Sequence, residues 1–197
     1  ILGSNITRDG ERIWLGWNFL DGLMKLEWKG ETAGRFAADG PVAQVYDALV
    51  ERLADSHEVF VFPYDWRRPI EDEAGRLAVE VEKALLARSG SSQPVRMLTH
   101  SMGALVARTM RLQRPDVWDR MMRRDGARLL MLGPPNGGSW APMQLLKGDD
   151  GFGNAMVAFG ALFRNARARA VLAGLPGLMQ VQAGLDDPHL QLRLAST

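Results

Sequence analysis

Cysteine is absent from this chain. That excludes a disulfide scaffold, a thiolate nucleophile and any Cys-ligated metal site. Histidine is scarce, with His57, His100 and His189 the whole set. No cluster has metal-ligand spacing, and no Gly-rich loop runs into a Lys-Ser or Lys-Thr pair, so neither a metal nor a nucleotide cofactor is expected. Charge of one sign is not in excess. Twenty-four Lys+Arg against 23 Asp+Glu leave a net +1, which lacks the basic footprint of a nucleic-acid binder. No apolar run approaches the ~18 residues that announce a transmembrane helix. The chain opens on Ile-Leu-Gly-Ser rather than Met, so a leader segment is neither indicated nor excluded, and a cytoplasmic location is the default expectation.

What is present suits an ordinary globular domain. The 197 residues are 46% hydrophobic and 24% charged, and no repeat or linker divides them, so one domain over 1–197 is expected. Residues 1–40, rich in Gly and Trp, read as a long irregular loop with a turn at Arg8-Asp9-Gly10 before Ile13, Trp14, Leu15 and Trp17. From Pro41, the residues Val42, Val45, Tyr46, Leu49, Val50 and Leu53 recur at helical spacing. Val59-Phe60-Val61-Phe62, ended by Pro63, reads as a buried parallel strand. A second helix is expected over 71–88, with acidic residues at the positive end of its dipole. A strand over 95–98, a helix over 103–113 and a strand over 128–132 complete an alternation of helix and strand. Such alternation builds a parallel sheet with helices on both faces, and ligand chemistry then gathers beyond the carboxyl ends of the strands.

Thr99-His100-Ser101-Met102-Gly103 falls at one such end, between a strand and a helix. A Ser on a tight strand-to-helix turn presents its hydroxyl as a nucleophile, and small residues two before and two after let the backbones approach. Gly103 meets that need, while Thr99 adds crowding. The Met102 amide, at the start of the helix, is placed for a developing oxyanion. The alternative for Ser101 is a helix-capping turn without chemistry. His100 reads as support for the turn rather than as the base, since a neighbour in sequence points away from the Ser.

Two further strings, Phe62-Pro63-Tyr64-Asp65-Trp66-Arg67 and Leu132-Gly133-Pro134-Pro135-Asn136-Gly137-Gly138-Ser139, join the Ser101 turn in a telling order. Together they closely resemble the lecithin:cholesterol acyltransferase-like family of α/β-hydrolases, over about residues 1–160. The opening Ile1-Leu2-Gly3-Ser4, Trp118 and the run from Lys147 to Gly151 share in the likeness. It implies a three-layer α/β/α hydrolase fold with a mostly parallel sheet, incomplete in its C-terminal half. It also implies a phospholipase, esterase or O-acyltransferase that works on lipid-like esters through an acyl-serine intermediate. Ser101 would be the nucleophile. Met102 would give one oxyanion amide, and Ile1 the other, with Leu2 as the alternative. Tyr64, Asp65, Trp66, Arg67 and Asn136 would support the site, with Asp65 and Arg67 pinning the loop beneath it and Trp66 packing it. Pro134 departs from the family's commoner Thr or Ala.

A Ser needs a base, and the base needs an orienting carboxylate. In this fold both follow the Ser in the chain. His189 is therefore the candidate base, with Asp149, Asp150, Asp186 or Asp187 as carboxylates, while His57 precedes the Ser and reads as solvent-facing. The family's own Asp and His come much further downstream. A chain shortened ahead of them, and nearly inactive by itself, is the expectation, and a non-catalytic binding module is the alternative. Residues 141–183 read as a lid or cap. Phe152, Ala155, Met156, Phe159, Leu162 and Phe163 share a helix face ahead of Arg164, Arg167 and Arg169, for packing on the domain or for contact with a membrane surface. Self-association through an uncovered sheet edge is the remaining partner expectation.

Overall fold

The computed structural model describes residues 3–14, 22–30, 36–148, 151, 154 and 165–182. The opening segment is not an irregular loop. Strands β1 (Ser4–Arg8) and β2 (Glu11–Trp14) form a hairpin, and β3 (Phe36–Pro41) pairs with the other side of β1 in an antiparallel sheet of order β2-β1-β3. The hairpin follows from Asp9-Gly10, with φ of 51° and 84°. This Asp-Gly pair turns left-handed at both positions, which matches the twist of the flanking strands. The strands escape a pattern search because β1 is buried at four consecutive positions, three of them polar. Their side chains are satisfied across the sheet: Asn5 Nδ2 donates to the Pro41 carbonyl at 2.9 Å and Thr7 Oγ1 to that of Ala37 at 3.3 Å.

A short helix, α1 (Gly22–Lys25), follows β2. Pro41 ends β3 instead of starting a helix, and α2 runs over Ala43–Ala54. The apolar stripe expected to face a core is not covered: α2 buries none of its residues, and Val45 is 59% exposed. The Val59–Phe62 run forms no strand, because no described strand pairs with it, and Phe60 is 66% exposed. The next elements agree closely with their sequence patterns. They are α3 (Ile70–Ala87), β4 (Arg96–His100), α4 (Gly103–Gln113) and β5 (Arg128–Leu132). Helix α5 (Pro115–Met122), starting on a proline, fills the interval between Gln113 and Arg128 where no element was expected.

Strands β4 and β5 are parallel and in register from Arg96↔Arg128 to His100↔Leu132. An α/β arrangement with a parallel pair is thus present, but the described sheets are one antiparallel and one parallel. The mostly parallel, three-layer form is not completed among the described residues. One face of the β4–β5 pair packs toward α3, α4 and α5, whose Ala74, Ala78, Ala104 and Ala107 permit close approach. The other carries Leu98, Leu130 and Leu132 in the open.

Beyond β5 lie α6 (Ala141–Lys147), α7 (Asn165–Ala173) and α8 (Pro176–Gln180). Leu175-Pro176-Gly177, whose composition suggests a break, starts α8, since a proline fits the first helical turn. Arg169 does not face outward as a headgroup contact would. Its guanidinium donates to the Leu145 carbonyl and to Asn154 Oδ1. The Phe152, Ala155, Met156, Phe159, Leu162, Phe163 and Arg164 stripe lies outside the described residues. Among the described residues, no helix is long and apolar enough to cross a membrane.

Candidate functional site

Ser101 sits at the carboxyl end of β4, immediately before α4. Its φ is 51°, a left-handed value that costs a non-glycine residue about 1–2 kcal/mol. The turn is held at both ends. The Ser101 amide donates to the Leu132 carbonyl at the end of β5 at 2.9 Å, and its carbonyl accepts from the Ala104 amide at 3.0 Å. Strain retained by surrounding structure at a reactive residue is a recurring feature of functional sites. Replacing Ser101 with Gly removes the backbone strain, and stability is expected to rise by up to about 1 kcal/mol. Thermal denaturation against Ser101→Ala, which keeps the strain, checks this.

Met102 follows in right-handed helical conformation, with its side chain fully buried. No acceptor among the described residues takes its amide, as an oxyanion donor requires. Thr99 crowds the turn less than its size suggests. A Cβ on Gly103 would meet Thr99 Cβ at 3.9 Å and Tyr64 Cε1 at 3.8 Å, both ordinary contacts.

Beneath the turn lies the Tyr64–Arg67 string. Trp66 is 1% exposed, donates from Nε1 to the Ser4 carbonyl at 3.2 Å and packs edge-on against Trp14. Arg67, fully buried, grips Asp65 with Nε–Oδ1 at 2.9 Å and Nη2–Oδ2 at 2.6 Å. Its guanidinium also stacks 4.0 Å over the Phe36 ring and reaches the Leu26 carbonyl. The loop thereby ties together β1, β3 and the residue that follows α1. Tyr64 donates its amide to Ser4 Oγ. Its phenol is pushed above the ordinary range by burial first, then by Tyr46 and Glu73.

Sequence reasoning missed Glu73. It lies on the buried side of α3, wholly covered, between Arg76 at 2.6 Å and Arg68 at 3.2 Å. Burial lifts its carboxyl above the usual range, against the pull of the two arginines. An acidic residue in an acidic first turn reads as solvent-facing, so nothing in the sequence marks it.

Asn136, after β5, accepts from Arg108 Nη1 at 2.8 Å. Both line an open groove of about 370 Å³ along α4, together with Leu105, Thr109, Arg111 and Gln180. The groove flanks α4, whereas the expected catalytic partners are not assembled among the described residues. His57 pairs with Ser56 and with Arg96, the first residue of β4. Five residues of extended chain, roughly 16 Å, separate Arg96 from Ser101, so His57 is engaged at the opposite end of β4. His100 is engaged by Tyr46. Ile1, Leu2, Asp149, Asp150, Asp186, Asp187 and His189 lie outside the described residues. Among the described residues, no group of three or more His, Cys, Asp or Glu could hold a metal ion.

A left-handed Ser stands between a parallel strand and a helix, with the Met102 amide at the start of that helix. The sequence profile of the lecithin:cholesterol acyltransferase family matches residues 35–170. The chain belongs to that family, whose fold is α/β-hydrolase-like and whose activity is acyl transfer or lipase-like hydrolysis. The match takes in the Tyr64–Arg67 string, the Ser101 turn and Asn136, while Ile1 and His189 fall outside it. Neither the curated proteins nor the solved structures contain a match to this chain.

Proposed function

We propose that this chain carries the nucleophile of a serine acyl-transfer enzyme acting on lipid-like esters, as a phospholipase, esterase or O-acyltransferase. The observation that carries the reading is the left-handed Ser101 at the junction of β4 and α4. Ser101 Oγ attacks the ester carbonyl carbon, its proton passes to a base, and the carbonyl oxygen becomes an oxyanion facing the Met102 amide. Collapse expels the alcohol and leaves an acyl-serine, which water or a second alcohol then takes up. Of the three histidines, the geometry of His57 and the engagement of His100 leave His189 in this sequence as the candidate base. The groove beside α4, apolar at Leu105 and Leu112 and charged at Glu71, Arg108 and Arg111, suits an ester that joins an acyl chain to a polar head.

A fluorophosphonate tests the assignment, because it phosphonylates an activated Ser. Labelling is expected to be slow in the wild-type chain, where the family's downstream Asp and His are expected to be missing, and absent in Ser101→Ala. Labelling that persists in Ser101→Ala would refute Ser101 as the nucleophile. The uncovered face of β4–β5, with Leu98, Leu130 and Leu132 exposed, favours a second reading: a binding module that associates through this face or its open edge. Concentration-dependent association in the absence of labelling supports that reading over the first.

A further inference from the structure

Helix α2 lies outside the core, since none of its residues is buried. Tyr46 in its first turn is nevertheless tied into two distant parts of the chain. Its hydroxyl meets His100 Nδ1 at 2.8 Å, donating when the imidazole proton sits on Nε2. The two rings stand edge to face, with centroids 5.8 Å apart. The same phenol covers Gly3, where a Cβ would fall 2.8 Å from Oη. Gly3 is itself held by the start of α2, because the Val42 amide donates to its carbonyl at 2.9 Å and Ser4 pairs with Pro41. Tyr46 thus touches the residue that leads into β1 and the residue immediately before Ser101.

We infer that Tyr46 is a positioning residue for the reaction at Ser101, a strut that holds the backbone at Gly3 in register with the nucleophile turn. This rests on the reading of Ser101 as an acyl-accepting nucleophile and deepens it. Attack by Ser101 needs its turn held in one place, and Tyr46 bears on that turn through His100. A misplacement of about 1 Å at such a site costs on the order of 100-fold in rate. Met102 is fixed by the start of α4, whereas Gly3 leads into β1, which belongs to another sheet. The Tyr46 phenol lies against Gly3 and hydrogen-bonds His100. A tyrosine hydroxyl is a protonated donor at neutral pH, and burial lifts that of Tyr46 further above its ordinary range. The ring fills the space between the segments, and the hydroxyl sets their spacing.

The test compares the wild-type chain with Tyr46→Phe and Gly3→Ala. Tyr46→Phe keeps the ring and removes the hydroxyl, while Gly3→Ala pushes the phenol off from the opposite side. Both variants are expected to slow fluorophosphonate labelling of Ser101 by about tenfold or more. The KM for p-nitrophenyl acetate should stay unchanged, and the melting temperature should fall by less than about 4 °C. The double variant should be no slower than the slower single one, because both break one contact. Amide resonances of the ¹⁵N-labelled Tyr46→Phe chain give an independent readout, with Ser4 and Met102 shifting together while α5 stays still. Shifts confined to α2 and His100, or a labelling rate in Tyr46→Phe equal to the wild type, would overturn the inference. A wild-type chain that is never labelled but shows the paired shifts retains the strut as a structural tie, and what it overturns is the hydrolase reading.

Discussion

Asp65→Ala is expected to destabilise the protein by about 3–5 kcal/mol, the usual loss when one partner of a buried ion pair is removed. Domains of this kind have only about 5–15 kcal/mol in all, so the variant sits near the edge of folding. The reason is Arg67, which is fully buried and would keep its charge, since a guanidinium does not deprotonate in proteins. Without Asp65 it retains a long contact to the Leu26 carbonyl and the Phe36 ring, neither of which neutralises it. Replacing both residues, as in Asp65→Leu with Arg67→Met, should cost much less than Asp65→Ala alone, because no charge is then stranded. Urea denaturation of the three proteins makes the comparison. A single variant that is milder than the double would show that the pair is not the source of the loop's stability. Arg67→Lys is not a conservative alternative, since an ammonium cannot grip both carboxylate oxygens in a planar fork.

Gly177→Ala is the second change with a large expected effect, although it adds only one methyl group. A Cβ at this position would stand 2.4 Å from the Arg68 and Trp66 carbonyl oxygens and 2.9 Å from Met102 Cε. Two of the three obstacles are backbone, which cannot rotate aside. Helix α8 must therefore lift away, breaking the Gly177 amide bond to the Arg67 carbonyl and uncovering Leu175, Leu178 and Val181. The loss should reach roughly 3 kcal/mol, at the upper end of overpacking effects. Limited proteolysis should cut the variant after residue 174 at protease concentrations that spare the wild type. Equal resistance would mean that α8 does not depend on this close approach. Because Met102 lies under the same glycine, the change should slow labelling of Ser101 too.

The sequence reveals those parts of the fold in which one pattern answers to one environment. Helix α3 and helix α4 show a helical stripe that is in fact buried, and Arg128–Leu132 is a short apolar run that finds a parallel partner. The Val59–Phe62 run has the same composition as a strand but no neighbour to pair with, and a ladder is what makes a strand. Strand β1 fails in the opposite sense. Ser4, Asn5 and Thr7 are buried polar residues whose partners lie some 30 residues or more away in the chain, so their spacing says nothing. At the site, Ser101 was legible because strand, serine, glycine and helix are consecutive. Tyr46 was not, since a tyrosine within an apolar helical stripe looks like core, and its contact to His100 spans 54 positions. Asp65 and Arg67 were visible as a motif. Their bidentate grip and the aromatic ring above it belong to tertiary packing.

The register of β4 on β5 bears on how the chain survives its own synthesis. Each strand begins with an arginine, and Arg96 and Arg128 lie directly opposite one another on the open face. Both reach the Gly126 carbonyl, and Arg96 also meets His57. Two like charges at facing positions weaken the pairing, so their value lies elsewhere. The segments they precede, Met97-Leu98-Thr99 and Leu129-Leu130-Met131-Leu132, are short and β-prone, the kind that adheres to copies of itself before a fold has formed. A stacked, in-register assembly of either segment would align arginine upon arginine along its whole length, a repulsion that grows with every added chain. The native parallel pair bears that juxtaposition once, with carbonyl contacts to soften it.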